Sequence, residues 1–470
     1  MVSAGRVFSF DQQRRFDKLE KTFLSNRRRP IFAAALILLL FAAVLSAEAE
    51  EAVQSLSREG YTLEQAVVLS RHNIRSPLSG GESLLGMITP HDWFAWSSGP
   101  SELSLRGGVL ETEMGEYFRK WLEAEGLFPE NYHPEFPEVR IYANSMQRTI
   151  ATAQYFTAGL LPTANMPIEY HMDFDTMDPV FTPQLTFISE AYKEYAEAQI
   201  RALFTEKIHG LADNYALLTD VIDLVDSPAY QNGTIGNFLV DDTEYIIEKG
   251  DEVGIRGSLK TACSVSDALV LQYYEEPDAK KAAFGHELTF RQWEEIAEIK
   301  DLRNDVLFTA PLIAVNSAHP LLQEIRSEMT SDVRIFTFLC GHDANLGSVL
   351  ASLDAADYKL PYALEKKAPI GSKLVFGKWL DPDGNAFWSI DLVYQTPDQL
   401  RSLSLLDLKN PPAVFHISLN GFEQNPDGLY AEDELLEHFD QAIRAYDQLI
   451  EEYADAETEV PVPSEFSAVE

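Results

Sequence analysis

In the stretch SRHNIRSP (residues 70–77), Arg71 and Arg75 stand four apart and flank His72, and Pro77 follows. Guanidinium forks match phosphate oxygens in pairs, so two of them on one turn make an anion cradle. Positive neighbours disfavour imidazolium, which keeps His72 neutral and nucleophilic in mildly acidic solution. An imidazole in that state attacks phosphorus to give a phosphohistidine. Pro77 disfavours helix at Ser76 and so shapes the turn. Far downstream, GHDANLG (341–347) supplies His342 and Asp343. A leaving alkoxide needs a proton, and a carboxylic acid at Asp343 is placed to give it, then to serve as base when water attacks the phosphohistidine.

Both segments sit where strands should end, and in open α/β sheets ligand sites form outside the carboxyl ends of strands. QAVVLS (65–70) is a short, continuously apolar run of the kind buried on both faces of a sheet. The spacing of Leu110, Met114, Tyr117, Phe118 and Leu122 predicts an amphipathic helix over 105–126. VRIYANS (139–145) reads as a second strand leading into the helix QRTIATAQYFTAGL. From 186 to 310 the texture is helical with few strand signals, which predicts a helical insertion domain that closes a cleft. Strand–turn–helix returns in VRIFTFLCGHDANLGSVLASL (333–353). A hairpin around a DG turn (373–395), a further strand in AVFHISLNG and a closing helix from Asp433 complete the chain before a tail at 457–470. The expected order is an α/β domain over 50–185, the insertion over 186–310, and the second part of the α/β domain over 311–456.

At 470 residues, 46% hydrophobic and 24% charged, the chain has ample material for a folded core. Its formal net charge is −37. Beyond residue 49 there are 29 basic and 70 acidic residues, a surface that repels nucleic acid and anionic lipid. The N-terminus differs: SNRRRP precedes the uncharged run IFAAALILLLFAAVL (31–45), and small residues follow at Ala47 and Ala49. Residues 1–49 therefore read as an export signal, since a membrane span needs about 20 apolar residues. Retention of residues 31–47 as an outward-facing anchor is the alternative. Cys263 and Cys340 form no metal-ligand pattern and are expected to be unpaired thiols.

SRHNIRSP and GHDANLG resemble the signatures of the histidine acid phosphatase family (branch 2), RHxxRxP near the mature N-terminus and HD late in the chain. At ordinary residue frequencies a chance RHxxRxP in a chain of this length is on the order of one in a thousand. LSLRGGVLETEMGEYFRKWL, YANSMQRTIATAQYF, TMDPVF, LVLQYYEE and APIGSKLVFGKW are similar to the bacterial periplasmic glucose-1-phosphatase branch, and the likeness runs in order through most of residues 60–440. The resemblance implies a phosphoglycerate-mutase-like α/β fold, a mixed sheet flanked by helices with an inserted, mainly helical domain. It implies His72 as nucleophile, Asp343 as proton donor, and Arg71, Arg75, Arg148 and His342 as the phosphate pocket. The activity it implies is phosphomonoester hydrolysis at acid pH, outside the cytoplasm, on a sugar phosphate such as glucose 1-phosphate, with phytase activity as the alternative and a non-catalytic phosphosugar-binding protein as the remote one. Asn73 replaces the Gly of phytases; it favours the sugar-phosphatase branch, and its side chain is expected to narrow the pocket entrance.

Other candidates are weaker. Glu252, in the helical insertion, reads first as an exposed carboxylate and otherwise as a gate against highly charged substrates. Asp178 reads as a turn residue before Pro179. Trp93 and Trp96 suit either core packing or stacking on a sugar ring. The eight histidines outside the two motifs lack HExxH or clustered spacing, and no Gly-rich phosphate loop with Lys occurs, so neither a metal nor another cofactor is expected. The expected partner is a small phosphomonoester.

Overall fold

The computed structural model describes residues 54–78 and 83–454; the expected leader and the tail lie outside the described residues. The strands are β1 (Thr62–Arg71), β2 (Val139–Ala143), β3 (Glu244–Ile246), β4 (Gly254–Arg256), β5 (Phe336–Gly341), β6 (Lys373–Leu380), β7 (Ala386–Tyr394), β8 (Ala413–His416) and β9 (Tyr430–Ala431). The longer helices are α1 (Leu105–Ala124), α2 (Gln147–Leu160), α3 (Glu190–His209), α4 (Ala212–Val221), α5 (Ser258–Glu275), α6 (Phe290–Phe308), α7 (Pro311–Met329), α8 (Asp343–Ser352) and α9 (Glu432–Tyr453). None of the described helices is long and apolar enough to cross a membrane.

One seven-stranded sheet runs β2-β5-β1-β6-β7-β8, with β9 on β7. β2, β5 and β1 are mutually parallel, and β6 to β9 continue antiparallel. The sheet is mixed and flanked by helices, as the sequence implied. The apolar run of β1 has a direct cause. Side chains alternate across a strand, so Ala66 and Val68 pack with α1 and α2 on one face while Val67 and Leu69 pack with α7, α8 and α9 on the other. With both faces buried, no polar position remains in the middle of the strand.

The register sets up the site. β1 and β5 pair from Ala66↔Phe336 to Arg71↔Gly341, so the next residues, His72 and His342, emerge abreast at the carboxyl edge. β2 ends one step earlier, Ala143 opposite Cys340, which brings Asn144 beside them. The His72 N–H donates to the Gly341 carbonyl at 3.0 Å and the Arg71 N–H to Ser372 at 2.9 Å, so the segment leaving β1 stays pinned to both neighbours.

α1 and α2 cross at unusually close range. A Cβ on Gly115 would lie 2.0 Å from the Phe156 carbonyl oxygen, and one on Gly159 would lie 2.1 Å from that of Thr112. Between them the two helices cover the face that holds Phe118, Trp121 and Phe156.

The helices between 190 and 308 gather around a separate apolar cluster containing Phe204, Leu218, Leu269, Trp293, Ile296 and Ile299. Their texture is helical, as expected, with one addition: β3 and β4 form a two-stranded ribbon that alternation did not reveal, because each strand is only three residues long. Gly210 caps the end of α3 and Leu211 the start of α4. Both cysteines are free and buried.

Gly115→Ala should destabilise the protein by about 1–3 kcal/mol, the usual cost of overpacking a tight contact. Chemical unfolding of the variant checks this, and an unchanged midpoint would mean that the two helices tolerate wider spacing.

Candidate active site

At the carboxyl edge, His72 is 3% exposed, and its Nδ1 lies 2.9 Å from the Asn73 carbonyl oxygen. A carbonyl only accepts, so Nδ1 carries the proton and Nε2 keeps its lone pair. The same contact orients the ring. Burial, then Arg148, His342, Arg75 and Arg71, holds the imidazole well below its ordinary pKa, so it stays neutral in acid.

His342 meets His72 edge-on, ring centroids 5.4 Å apart. Its Nε2 accepts from the Asn144 amide at 2.7 Å. Asn144 is itself oriented, because its Oδ1 accepts the Asp178 N–H at 2.8 Å. An Arg148 Nη lies 3.5 Å from Nδ1, and a guanidinium only donates, so both ring nitrogens face donors. Burial, then Arg148, keeps this ring neutral too. Asp178 is therefore structural: buried, it accepts from the Tyr142 hydroxyl and the Val180 N–H.

The three arginines that the sequence nominated converge here with different tethers. Arg71, 1% exposed, donates to Glu365 and to the Ala368 carbonyl, each at 2.6 Å, and reaches Asp343 at 3.4 Å. Arg75 pairs with Asp267 on α5 at 3.0 Å. Arg148, in the first turn of α2, has no carboxylate within ion-pair range among the described residues. Burial and then Arg75 lower it to about 10. An arginine with no carboxylate in direct contact, beside two neutral imidazoles, favours the approach of an anion.

Asp343 opens α8. Its Oδ2 accepts from Lys300 at 2.8 Å and Asn304 at 3.0 Å, and its Oδ1 from the Ala344 N–H at 3.0 Å. The side chain is 20% exposed and faces a cavity of about 470 Å³ walled by Asp301, Asn304, Asp305, Tyr358 and Lys367 among others.

Beneath the cradle lies a second layer. Asn73 donates to Glu111 at 2.8 Å, and Lys373 donates to the same carboxylate oxygen at 2.9 Å, with both charged side chains fully buried. Asn73 is itself fully buried, so its side chain does not narrow the entrance as expected; the Glu111 carboxylate offers an acceptor inside the protein and draws the amide inward. Gly371 (φ +69°) sits against that amide, where a Cβ would approach Nδ2 to 2.4 Å. Trp93 packs on the helical cluster and donates to the Leu85 carbonyl, and Trp96 stacks edge-on with Phe94; both serve packing. Glu252 is exposed, within electrostatic range of Arg303, Asp343 and Arg148.

Lys300, Glu365, Asp267, Asn144, Glu111 and Lys373 escaped the sequence reading. Lys300 left a trace, because it falls on the stripe of α6 that also carries Trp293, Ile296 and Ala297, where a charge is out of place. Glu365 lies in an irregular loop and left none.

This arrangement suits the capture of a tetrahedral anion, in-line attack by an imidazole Nε2, and proton transfer by a carboxyl group. Comparisons with known proteins bear on the family to which such a site would belong. Residues 62–207 match the model of the histidine phosphatase superfamily (branch 2). The chain is 37% identical over 375 residues to a glucose-1-phosphatase of Salmonella typhimurium, covering 79% of this chain and 90% of that one. It is 36% identical to a glucose-1-phosphatase of Providencia rettgeri, covering 82% and 92%. A solved phytase of Hafnia alvei in complex with myo-inositol hexakis sulphate superimposes with a TM-score of 0.74 at 26% identity, covering 82% of this chain and 98% of that one.

Lys373→Met should cost about 3–5 kcal/mol of stability, because Glu111 would be left as an uncompensated buried charge. Equilibrium unfolding measures this, and a loss below about 1 kcal/mol would show that Asn73 alone satisfies the carboxylate.

Proposed function

Because the chain belongs to the histidine phosphatase superfamily, branch 2, we propose that it hydrolyses a sugar phosphate of the glucose 1-phosphate type through a phosphohistidine on His72. It is a phosphomonoester hydrolase. The observation that carries the residue assignment is the Nδ1 contact of His72 with its neighbour's carbonyl, which leaves Nε2 as the free lone pair in a ring kept neutral by burial and three guanidinium groups.

The phosphate of the substrate rests on Arg71, Arg75, Arg148 and His342. His72 Nε2 bonds to phosphorus as the ester P–O bond breaks, and Asp343 gives its proton to the departing alkoxide. Asp343 then takes a proton from water, whose oxygen attacks the phosphohistidine. His72 and inorganic phosphate are released. No group outside the chain is required by these steps.

Identity of 36–37% to two glucose-1-phosphatases, against 26% to the Hafnia phytase, supports a sugar phosphate as substrate. The phytase reading draws on the shared fold. Glu252 stands near the cradle, and although burial raises its carboxyl above the ordinary range, once ionised it sets a negative charge against a hexakisphosphate more strongly than against a single phosphate. The apolar run 31–45 behind its basic flank supports export, with anchoring through 31–47 as the alternative.

Phosphate release at pH 4–6 should fall by about three orders of magnitude or more in His72→Ala. Asp343→Asn should slow glucose 1-phosphate by about 10²–10⁴-fold while slowing 4-nitrophenyl phosphate much less, since nitrophenolate leaves without a proton. Undiminished release by His72→Ala would sink the mechanism, and a higher kcat/KM on phytate than on glucose 1-phosphate would reverse the substrate order.

A further inference from the structure

Lys300 is buried on α6, and its ammonium joins two carboxylates, Asp343 at 2.8 Å and Glu365 at 3.2 Å. The same Glu365 oxygen accepts from Arg71 at 2.6 Å, so the cradle and the acid are bound into one network. Around the Asp343 carboxyl, Lys300, Asn304, Arg71 and the Ala344 N–H all donate. Lys300, Arg71 and the Ala344 N–H have no acceptor to offer, so a proton on Oδ2 would have to displace Lys300 and face a cation unless the Asn304 amide turned its oxygen toward it. Other charged or titratable groups feel it from every side: His72 beyond β1, His342 on its own turn, Arg148 on α2 and Glu252 in the connection between β3 and β4. Arg75 and Asp267 complete the pocket, and Arg303 lies beside Glu252. Burial alone would raise the carboxyl, yet Lys300, and then Arg71, hold it well below the usual carboxylate range. An acid already ionised has no proton to give.

We propose that Lys300 is a positioning residue that keeps Asp343 a carboxylate in the free enzyme, so that the proton handed to the leaving alcohol arrives on the substrate's own phosphate. This rests on the assignment of Asp343 as proton donor. The ester enters as its monoanion, and the P–OH proton passes to Asp343 while the guanidinium groups take up the dianion. His72 Nε2 bonds to phosphorus, the ester P–O bond breaks, and Asp343 delivers that proton to the alkoxide. The alcohol leaves neutral, and Asp343 returns to its contact with Lys300 as the base needed for water. Charge balance agrees. Arg71, Arg75, Arg148 and Lys300 face Asp267, Asp343 and Glu365, so the buried cluster is short of one negative charge, which a monoanion supplies.

The test is the alkaline limb of kcat/KM, measured with glucose 1-phosphate and with a fluorinated analogue whose phosphate ionises at lower pH. In wild type the limb should fall tenfold per pH unit above the second ionisation of each substrate, near pH 6 for an ordinary phosphomonoester, and should move down with the analogue by the difference between the two. Lys300→Met frees Asp343 to hold a proton, so its limb should rise by about one pH unit or more and coincide for both substrates. Lys300→Arg, which keeps the positive charge, should leave the limb following the substrate. A wild-type limb at one pH for both substrates would overturn the inference, and that measurement needs no variant to fold. If it does so while Asp343→Asn is still impaired on glucose 1-phosphate, the phosphohistidine reading stands and only the role of Lys300 falls. Wild type that releases no phosphate would remove both.

Discussion

The parallel pairing of β1 with β5 is the constraint from which the rest of the structure follows. Because Arg71 lies opposite Gly341, the two histidines that succeed them leave the sheet side by side. A slip of one residue would turn every side chain of β1 to the other face. Val67 and Leu69 would then trade places with Ala66 and Val68 between two filled cores, an arrangement close packing does not permit. The geometry of the candidate site is thus held by the same burial that stabilises the fold. A chemical requirement for two imidazoles near 5 Å apart is met by a strand register.

Charge is the second organising term. Cations removed from water are costly unless paired, and the cradle pairs most of its own: Arg71 with Glu365, Arg75 with Asp267, Lys300 with Asp343 and Glu365. What remains unpaired is Arg148, together with two neutral imidazoles. A buried site with that imbalance attracts an anion before any specific contact is made. It also discriminates between protonation states of the substrate, because the anion it takes up must balance the cluster. The Lys373–Glu111 pair below carries no net charge, and so stiffens Asn73 and the turn at His72 without disturbing that balance.

Much of this was legible before any coordinates. Arg71, His72, Arg75, His342 and Asp343 announced themselves because anion capture, nucleophilic attack and proton transfer each need particular side chains, and these appeared in two tight clusters. Arg148 was legible only through its motif, since one arginine after a strand has no distinctive spacing. The strands and helices that flank the site followed from periodicity, down to the residue for the helix 147–160. Periodicity failed on β3 and β4, where three residues carry too few alternations to register. The resemblance, for its part, did not show the direction of Asn73, which depends on Glu111, 38 residues away.

The sequence by itself determined the reaction class, because the chemistry resides in residue types and in short spacings that a chain of this length rarely produces by chance. It also determined that β1 is buried on both sides, since six consecutive residues without a charge leave no face for water. Only the tertiary structure decided which charges meet. Lys300, Glu365 and Asp267 stand roughly 200 to 300 residues from Arg71, and the partner of a buried ion is selected by whatever the fold brings within about 4 Å, a relation that no local pattern encodes. The protonation state of Asp343 therefore belongs to the folded molecule, although Asp343 itself was visible from the start.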